Sequence, residues 1–217
     1  MPDVARIFRP PARLHRLVRL VAAGALLLSL FRPAVAAELS LVLVQTPNGV
    51  VRYVSLKNDV VVGDWSKFTR LLRKNPDVAG VLLASNGGSA DDGLAIAKHV
   101  FEHGLGTMVT GSCHSVCAVI FLAGRDRYIT STARVTVHSA YKQLGDWVVE
   151  DDITNGTVAW FIGHMGYPLP LARLWVSTPT DEIAPITLEM NDKLKLGFHV
   201  IPAQPPAIVA GPEPDPR

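Results

Sequence analysis

Apolar positions recur along the chain with two different periods, and the switches between them predict alternating strands and helices. Leu39 to Val44 and Val50 to Leu56 are rich in β-branched residues and flank Thr46-Pro47-Asn48-Gly49, whose Asn-Gly step signals a hairpin. Val60 to Val62 reads as a short strand. Gly63-Asp64 opens a helix on which Trp65, Phe68, Leu71 and Leu72 fall at helical spacing, and Asn75-Pro76 ends it. Val78 to Ala84 is a nearly unbroken apolar run, as expected of a strand buried on both faces. Ser85-Asn86-Gly87-Gly88-Ser89 leads into a helix that turns Leu94, Ala97, Val100 and Phe101 inward and stops at Gly104. Thr107 to Thr110 is the next strand. Ser115 to Ala123 is apolar all round, which predicts a buried helix. Tyr128 to Thr130 and Arg134 to His138 are two more short strands. This order implies βαβ crossovers and an α/β fold, with a mostly parallel inner sheet and flanking helices.

The two ends follow other rules. Arg6, Arg9, Arg13, Arg16 and Arg19 precede the uncharged stretch Leu20 to Phe31, and Ala34-Val35-Ala36 follows. Such a stretch rises only about 18 Å as a helix, short of the ~30 Å hydrocarbon core of a bilayer. A basic start, a short apolar run and an A-x-A step predict a cleavable signal peptide over residues 1–36. The chain is therefore expected in the periplasm, without a stable membrane span once processed; an uncleaved N-terminal anchor is the alternative. Residues 202–217 hold six prolines and no period, and are expected to be a flexible tail. Residues 37–201 remain as a single domain.

Composition narrows the function. Apolar residues at 48% and charged ones at 18% exclude a disordered chain. Two cysteines exclude a disulfide-dense scaffold and a four-cysteine zinc site. The formal charge of +2 and the pI of about 8.6 report mainly the N-terminus. Residues 1–36 carry six arginines and one aspartate, which leaves the rest of the chain at −3. A mildly acidic domain is a poor fit to nucleic acid.

Three segments, in one order, carry a family likeness. Leu82 to Leu94 (LLASNGGSADDGL) resembles the Gly-Gly turn and helix start of the Clp protease proteolytic subunit and its crotonase-fold relatives. Cys113 to Gly124 (CHSVCAVIFLAG) resembles that family's nucleophile turn and buried helix. Arg134 to His138 (RVTVH) resembles the strand that ends in its catalytic histidine. The likeness covers roughly residues 60–200 and implies a ClpP/crotonase-like ββα spiral. It also implies peptide or protein substrates, a homo-oligomer and no cofactor. The Cys-x-Ser-x-Cys frame and the signal peptide resemble exported bacterial members.

The same resemblance assigns roles. Acyl transfer needs a nucleophile, a base and donors for the oxyanion. Ser115 is the implied nucleophile, His138 the base, and the N–H groups of Gly88 and Val116 the oxyanion donors. Read without the family, Ser115 is a plain helix N-cap and Gly87-Gly88 a tight turn. Histidine ordinarily titrates near pH 6.5, which suits a base near neutrality. The acid is the open member. Aligning back from Leu196-Gly197 places Ser177 to Pro179 at the family's acid position, where no carboxylate stands. Asp181 is the nearest, and Lys142 keeps a Ser/Lys dyad open.

Other candidates carry less. Cys113 and Cys117 lie four apart and can form a disulfide or remain buried thiols. His99 and His103 have the spacing of helical metal ligands, but Glu102 is not where H-E-x-x-H requires it, so no metal is expected. Ser112 lies on the strand side of the turn, His114 is too close to Ser115 for an easy base, and His164 and His199 lack a frame. The resulting expectation is an exported serine peptidase. The alternative is a non-catalytic binding or scaffold protein with a degenerate triad.

Overall fold

In a computed structural model, residues 36–46, 49–203 and 207–210 are described. The expected signal peptide falls outside them except for Ala36, as does most of the proline-rich end.

The first two strands, β1 (Glu38–Thr46) and β2 (Gly49–Val60), form the expected antiparallel pair, in register from Glu38–Lys57 to Thr46–Gly49. β2 absorbs the predicted separate strand at Val60. Helix α1 (Asp64–Lys74) follows and buries Phe68 completely. Then come β3 (Val78–Gly88), α2 (Ala90–Glu102), β4 (Gly106–His114) and α3 (Val116–Leu122). The chain continues through β5 (Arg127–Thr130) and β6 (Arg134–Val137). Strands β2, β3, β4 and β5 pair in parallel, as the crossover helices require.

Between His138 and the sheet's last strands lies a hairpin, β7 (Tyr141–Leu144) and β8 (Trp147–Glu150), then α4 (Asp152–His164) and α5 (Leu169–Ser177). Two-residue β9 (Ala184–Pro185), α6 (Leu188–Leu194), β10 (Phe198–Ile201) and β11 (Ile208–Ala210) complete the order. The main sheet runs β10-β5-β4-β3-β2-β1-β11, with β6 attached to β4 and β9 to β6.

All seven residues of α3 are buried, as its unbroken apolar sequence predicts. Each large side chain there contributes about 1.5–3 kcal/mol by leaving water. Helix α2 packs on α3 through Ile96, Ala97 and Val100; Phe101, expected inside, stands exposed one step off that face. The expected tail also departs from prediction in part. Ile208–Ala210 is its one apolar β-branched stretch, and it pairs with β1, whose outer edge would otherwise be open.

Strand β4 divides its partners, and this division builds the site. Thr107 to Val109 pair with β5, whereas Ser112 to His114 pair with β6. The carboxyl ends of three neighbouring parallel strands, β3, β4 and β6, therefore lie side by side. They lead respectively into Gly87-Gly88, Ser115 and His138. Open parallel sheets place their sites at such ends.

Candidate active site

Ser115 joins β4 to α3 with φ 55° and ψ −129°, one of three non-glycine residues with positive φ among those described. A backbone held there costs about 1–3 kcal/mol and persists only where its surroundings impose it. Its N–H donates to the Thr136 carbonyl at 2.9 Å, and its carbonyl accepts from the Ala118 N–H at 2.8 Å. The side chain makes no capping hydrogen bond. An ordinary N-cap serine has extended backbone and spends its hydroxyl on the helix. Ser115 does neither.

Cys113 and Cys117 form a disulfide across this turn, with Cα atoms 5.2 Å apart. Of the two readings open in the sequence, the bridge is the one observed. Both residues are fully buried. The closed loop is so short that chain entropy gives the bond only about 2 kcal/mol.

The Gly-Gly turn packs against the serine, with its two glycines in different roles. A Cβ on Gly87, where φ is 92°, would stand 2.7 Å from the Ser115 Cβ and 2.7 Å from the His114 carbonyl oxygen. Its N–H donates to the Ser85 hydroxyl at 3.1 Å. Gly88, with φ 125°, is exposed and lies in register with Val60 on β2. The Val116 N–H is the first of α3 and has no carbonyl within its own helix. Gly87 is thus a contact residue of the serine turn, a part the sequence reading left to its neighbour.

His138 is half-buried just beyond β6, one residue past the Val137–Ala184 pair. Its Nδ1–H donates to the Ser139 carbonyl at 2.9 Å. That tautomer leaves Nε2 with its lone pair, the arrangement a general base needs. The neighbouring backbone is fixed in turn: the Ser139 N–H donates to the Thr178 carbonyl at 2.9 Å, and the Ala140 N–H to Asn155 Oδ1 at 2.6 Å.

Asp181 does not reach His138. It is exposed in the Pro179–Glu182 turn, and among the described residues no hydrogen bond or ion pair joins the two. The residue before the paired Ala184 is Ile183, which is apolar and carries no carboxylate. Thr178, within the stretch aligned with the family's acid, is buried and gives its hydroxyl to the Leu174 carbonyl at 2.6 Å. Lys142 is taken by Asp151 at 3.0 Å. Hydrogen bonds from Thr154, then Lys142, hold the Asp151 carboxyl below its usual range.

Sequence reasoning set His114 aside, yet the structure brings it into the group. Its Nδ1 shares a 2.5 Å hydrogen bond with the Thr136 hydroxyl. Burial, and then the field of His138, push its pKa down, so the two imidazoles sense one another. A cleft of about 470 Å³ opens beside His114, lined by Ile129, Val135, Ile183, Ile186 and Leu188. The His99–His103 pair lies elsewhere, on α2, with rings stacked at 3.7 Å. No group of three potential metal ligands occurs among the described residues. Nor is any described helix long and apolar enough to cross a membrane.

Comparison with known proteins agrees with this geometry. The Clp protease family model matches residues 69–157, a stretch that holds the Gly-Gly turn, Ser115 and His138. No curated protein matches the sequence. Among solved structures, a mutant of the 1510-N membrane-bound stomatin-specific protease superposes with TM-score 0.53 at 13% identity, over 69% of this chain and 78% of that one. A peptidase from Plasmodium falciparum gives 0.52 at 11% identity, over 69% and 94%. A mutant ClpP1 from Listeria monocytogenes gives 0.51 at 14% identity, over 69% and 91%. Residues 69–157 thus match the Clp protease family model, and the chain has the mixed α/β fold of ClpP-like structures.

Proposed function

We propose that the chain is a serine peptidase that cleaves peptide bonds through an acyl-enzyme. The observation that carries this is Ser115 itself. It holds a strained backbone between the Gly-Gly turn and the strand ending in His138, and its hydroxyl is not spent on a helix cap. His138 Nε2 takes the hydroxyl proton as Ser115 Oγ attacks the carbonyl. The N–H groups of Gly88 and Val116 receive the oxyanion, and the same imidazole returns the proton to the leaving amine. Water then releases the acyl group by the reverse proton path. The Ser139 carbonyl orients the imidazole in place of a carboxylate. The apolar cleft beside His114 suits an apolar substrate side chain.

Export to the periplasm through residues 1–36 belongs to the same proposal, supported by their charge and hydropathy pattern. So does self-association. The relatives suggest it, and β7–β8 exposes Leu144, Trp147 and Val148, an apolar surface open to a second copy. Sedimentation as a monomer would remove that part.

A fluorophosphonate that reacts with activated serines tests the core claim. The full chain is expected to be labelled at Ser115, and Ser115→Ala to lose the label while keeping its thermal transition. Equal labelling of Ser115→Ala refutes the assignment. One observation favours a second reading, a binding protein with a degenerate triad: among the described residues, no carboxylate hydrogen-bonds or pairs with His138. A folded chain that takes no label, yet retains peptides, would be that protein.

A further inference from the structure

We infer that the Cys113–Cys117 disulfide is the positioning element that holds Ser115 in its reactive conformation, so that reactivity requires the bridge to be closed. The inference rests on Ser115 as the nucleophile. The bridge joins the end of β4 to the first turn of α3 and has Ser115 at its midpoint. Positive φ at a serine is lost when its surroundings relax. Apart from the bridge, Ser115 is held by one backbone hydrogen bond on each side and by Gly87 packed on its Cβ.

Two properties separate this role from that of a simple staple. A loop this short gains less from closure than any longer one, so the bond is poorly placed to stabilise the whole domain. It is also surrounded by rigid parts. Cys113 is held between Ser85 on β3 and Val135 on β6, and every residue of α3 is buried. Two thiols need more room than a bonded pair, and neither cysteine has a route to solvent. The displacement falls on the turn at Ser115, between the end of β4 and the first residue of α3. That turn carries the hydroxyl of Ser115 and, through the peptide that follows it, the N–H of Val116. Reduction would therefore misdirect nucleophile and oxyanion donor together while the sheet and helices stay in place. A chain held in a reducing compartment would be folded and unreactive.

The test compares three forms of the full chain: oxidised, refolded with a dithiol reductant, and Cys113→Ala/Cys117→Ala. In the second, the S–S bond takes two electrons and two protons from the dithiol, which closes to its own cyclic disulfide. Each form is titrated with the fluorophosphonate across pH, with thermal melting alongside. The expected result is that both bridge-free forms melt cooperatively while their maximal labelling rate drops by about 10²-fold, the cost of a misplacement of order 1 Å. The half-saturating probe concentration and the pH midpoint should stay put, and re-oxidation should restore only the wild-type chain. Folded bridge-free forms that label within about threefold of the oxidised chain overturn the inference, since misplacement should cost far more. So does failure of both forms to fold, which would make the bridge a staple of the domain. Absence of labelling in the oxidised chain refutes the nucleophile, and this inference falls with it.

Discussion

Ser115 and His138 each depend on a backbone carbonyl. The Thr136 carbonyl accepts the Ser115 N–H, and the Ser139 carbonyl accepts the imidazole Nδ1–H. A carbonyl fixes the tautomer as a carboxylate does but adds little charge to stabilise the imidazolium formed during attack. On the proposed mechanism Asp181 is therefore not required. Asp181→Asn is expected to change the fluorophosphonate labelling rate by less than about threefold, whereas loss of a working triad carboxylate costs about 10⁴-fold. A fall of that larger size would show that Asp181 swings onto His138 when substrate binds. Thr178→Ala is the companion measurement, since its carbonyl holds Ser139 and its backbone survives the substitution. The labelling rate should again stay within about threefold, far from the loss a working triad member costs.

Elements position these residues through packing that local sequence records only in part. Helix α2 approaches α3 at Gly93, where a Cβ would stand 2.3 Å and 2.7 Å from the two Val116 methyl groups. Alanine normally gains about 1 kcal/mol over glycine within a helix. Overpacking a tight contact costs about 1–3 kcal/mol, and the buried Val116 side chain has no open space to turn into, so the strain passes to its backbone. The clash should win. Gly93→Ala is expected to lower stability by up to about 2 kcal/mol on that balance and to slow labelling by tilting the Val116 N–H. Val116→Ala in the same chain should restore part of both, which a double-mutant cycle in urea would measure. Strict additivity would show that the two residues do not meet. Much of this architecture was legible. The periods of β1 to β6 and α1 to α3 follow their sequences because each buries either one face or, as in β3 and α3, nearly its whole surface. Gly-Gly, Ser115 and His138 sit where short local motifs end. What lies beyond His138 was not legible from such motifs. Its placement depends on Asn155, Thr178 and the β6–β9 register, contacts made across some 15 to 50 residues of chain. The β7–β8 hairpin did leave a signal, Gly145-Asp146 between Leu144 and Trp147, outside the segments that carry the family likeness.

At the scale of the whole molecule, pH sets both the charge of the site and the stability that supports it. His99 and His114 have pKa values pushed down, in each case chiefly by burial. Their native forms prefer to be neutral. Below the ordinary histidine value near 6.5 the unfolded chain takes up protons first, so stability is complete above that pH and is lost as pH falls through the lower native values. Asp151 adds a second acid limb. Its carboxyl is held low by Thr154 and Lys142, so its contribution is present above about pH 4 and lost as pH falls further. Tyr53 and Tyr167 act at the opposite end. Burial raises both, Tyr167 to about 12, so their contribution holds below the ordinary tyrosine value near 10 and is lost as pH rises through the raised native values. The melting temperature should therefore be highest between roughly pH 7 and 9 and decline from about 6.5 downward. Replacing His99 and His114 together by asparagine should flatten the first decline and leave the one near pH 4. A melting temperature that stays level from pH 7.5 to 5.5, values chosen to bracket roughly one unit either side of 6.5, would contradict the burial of both rings.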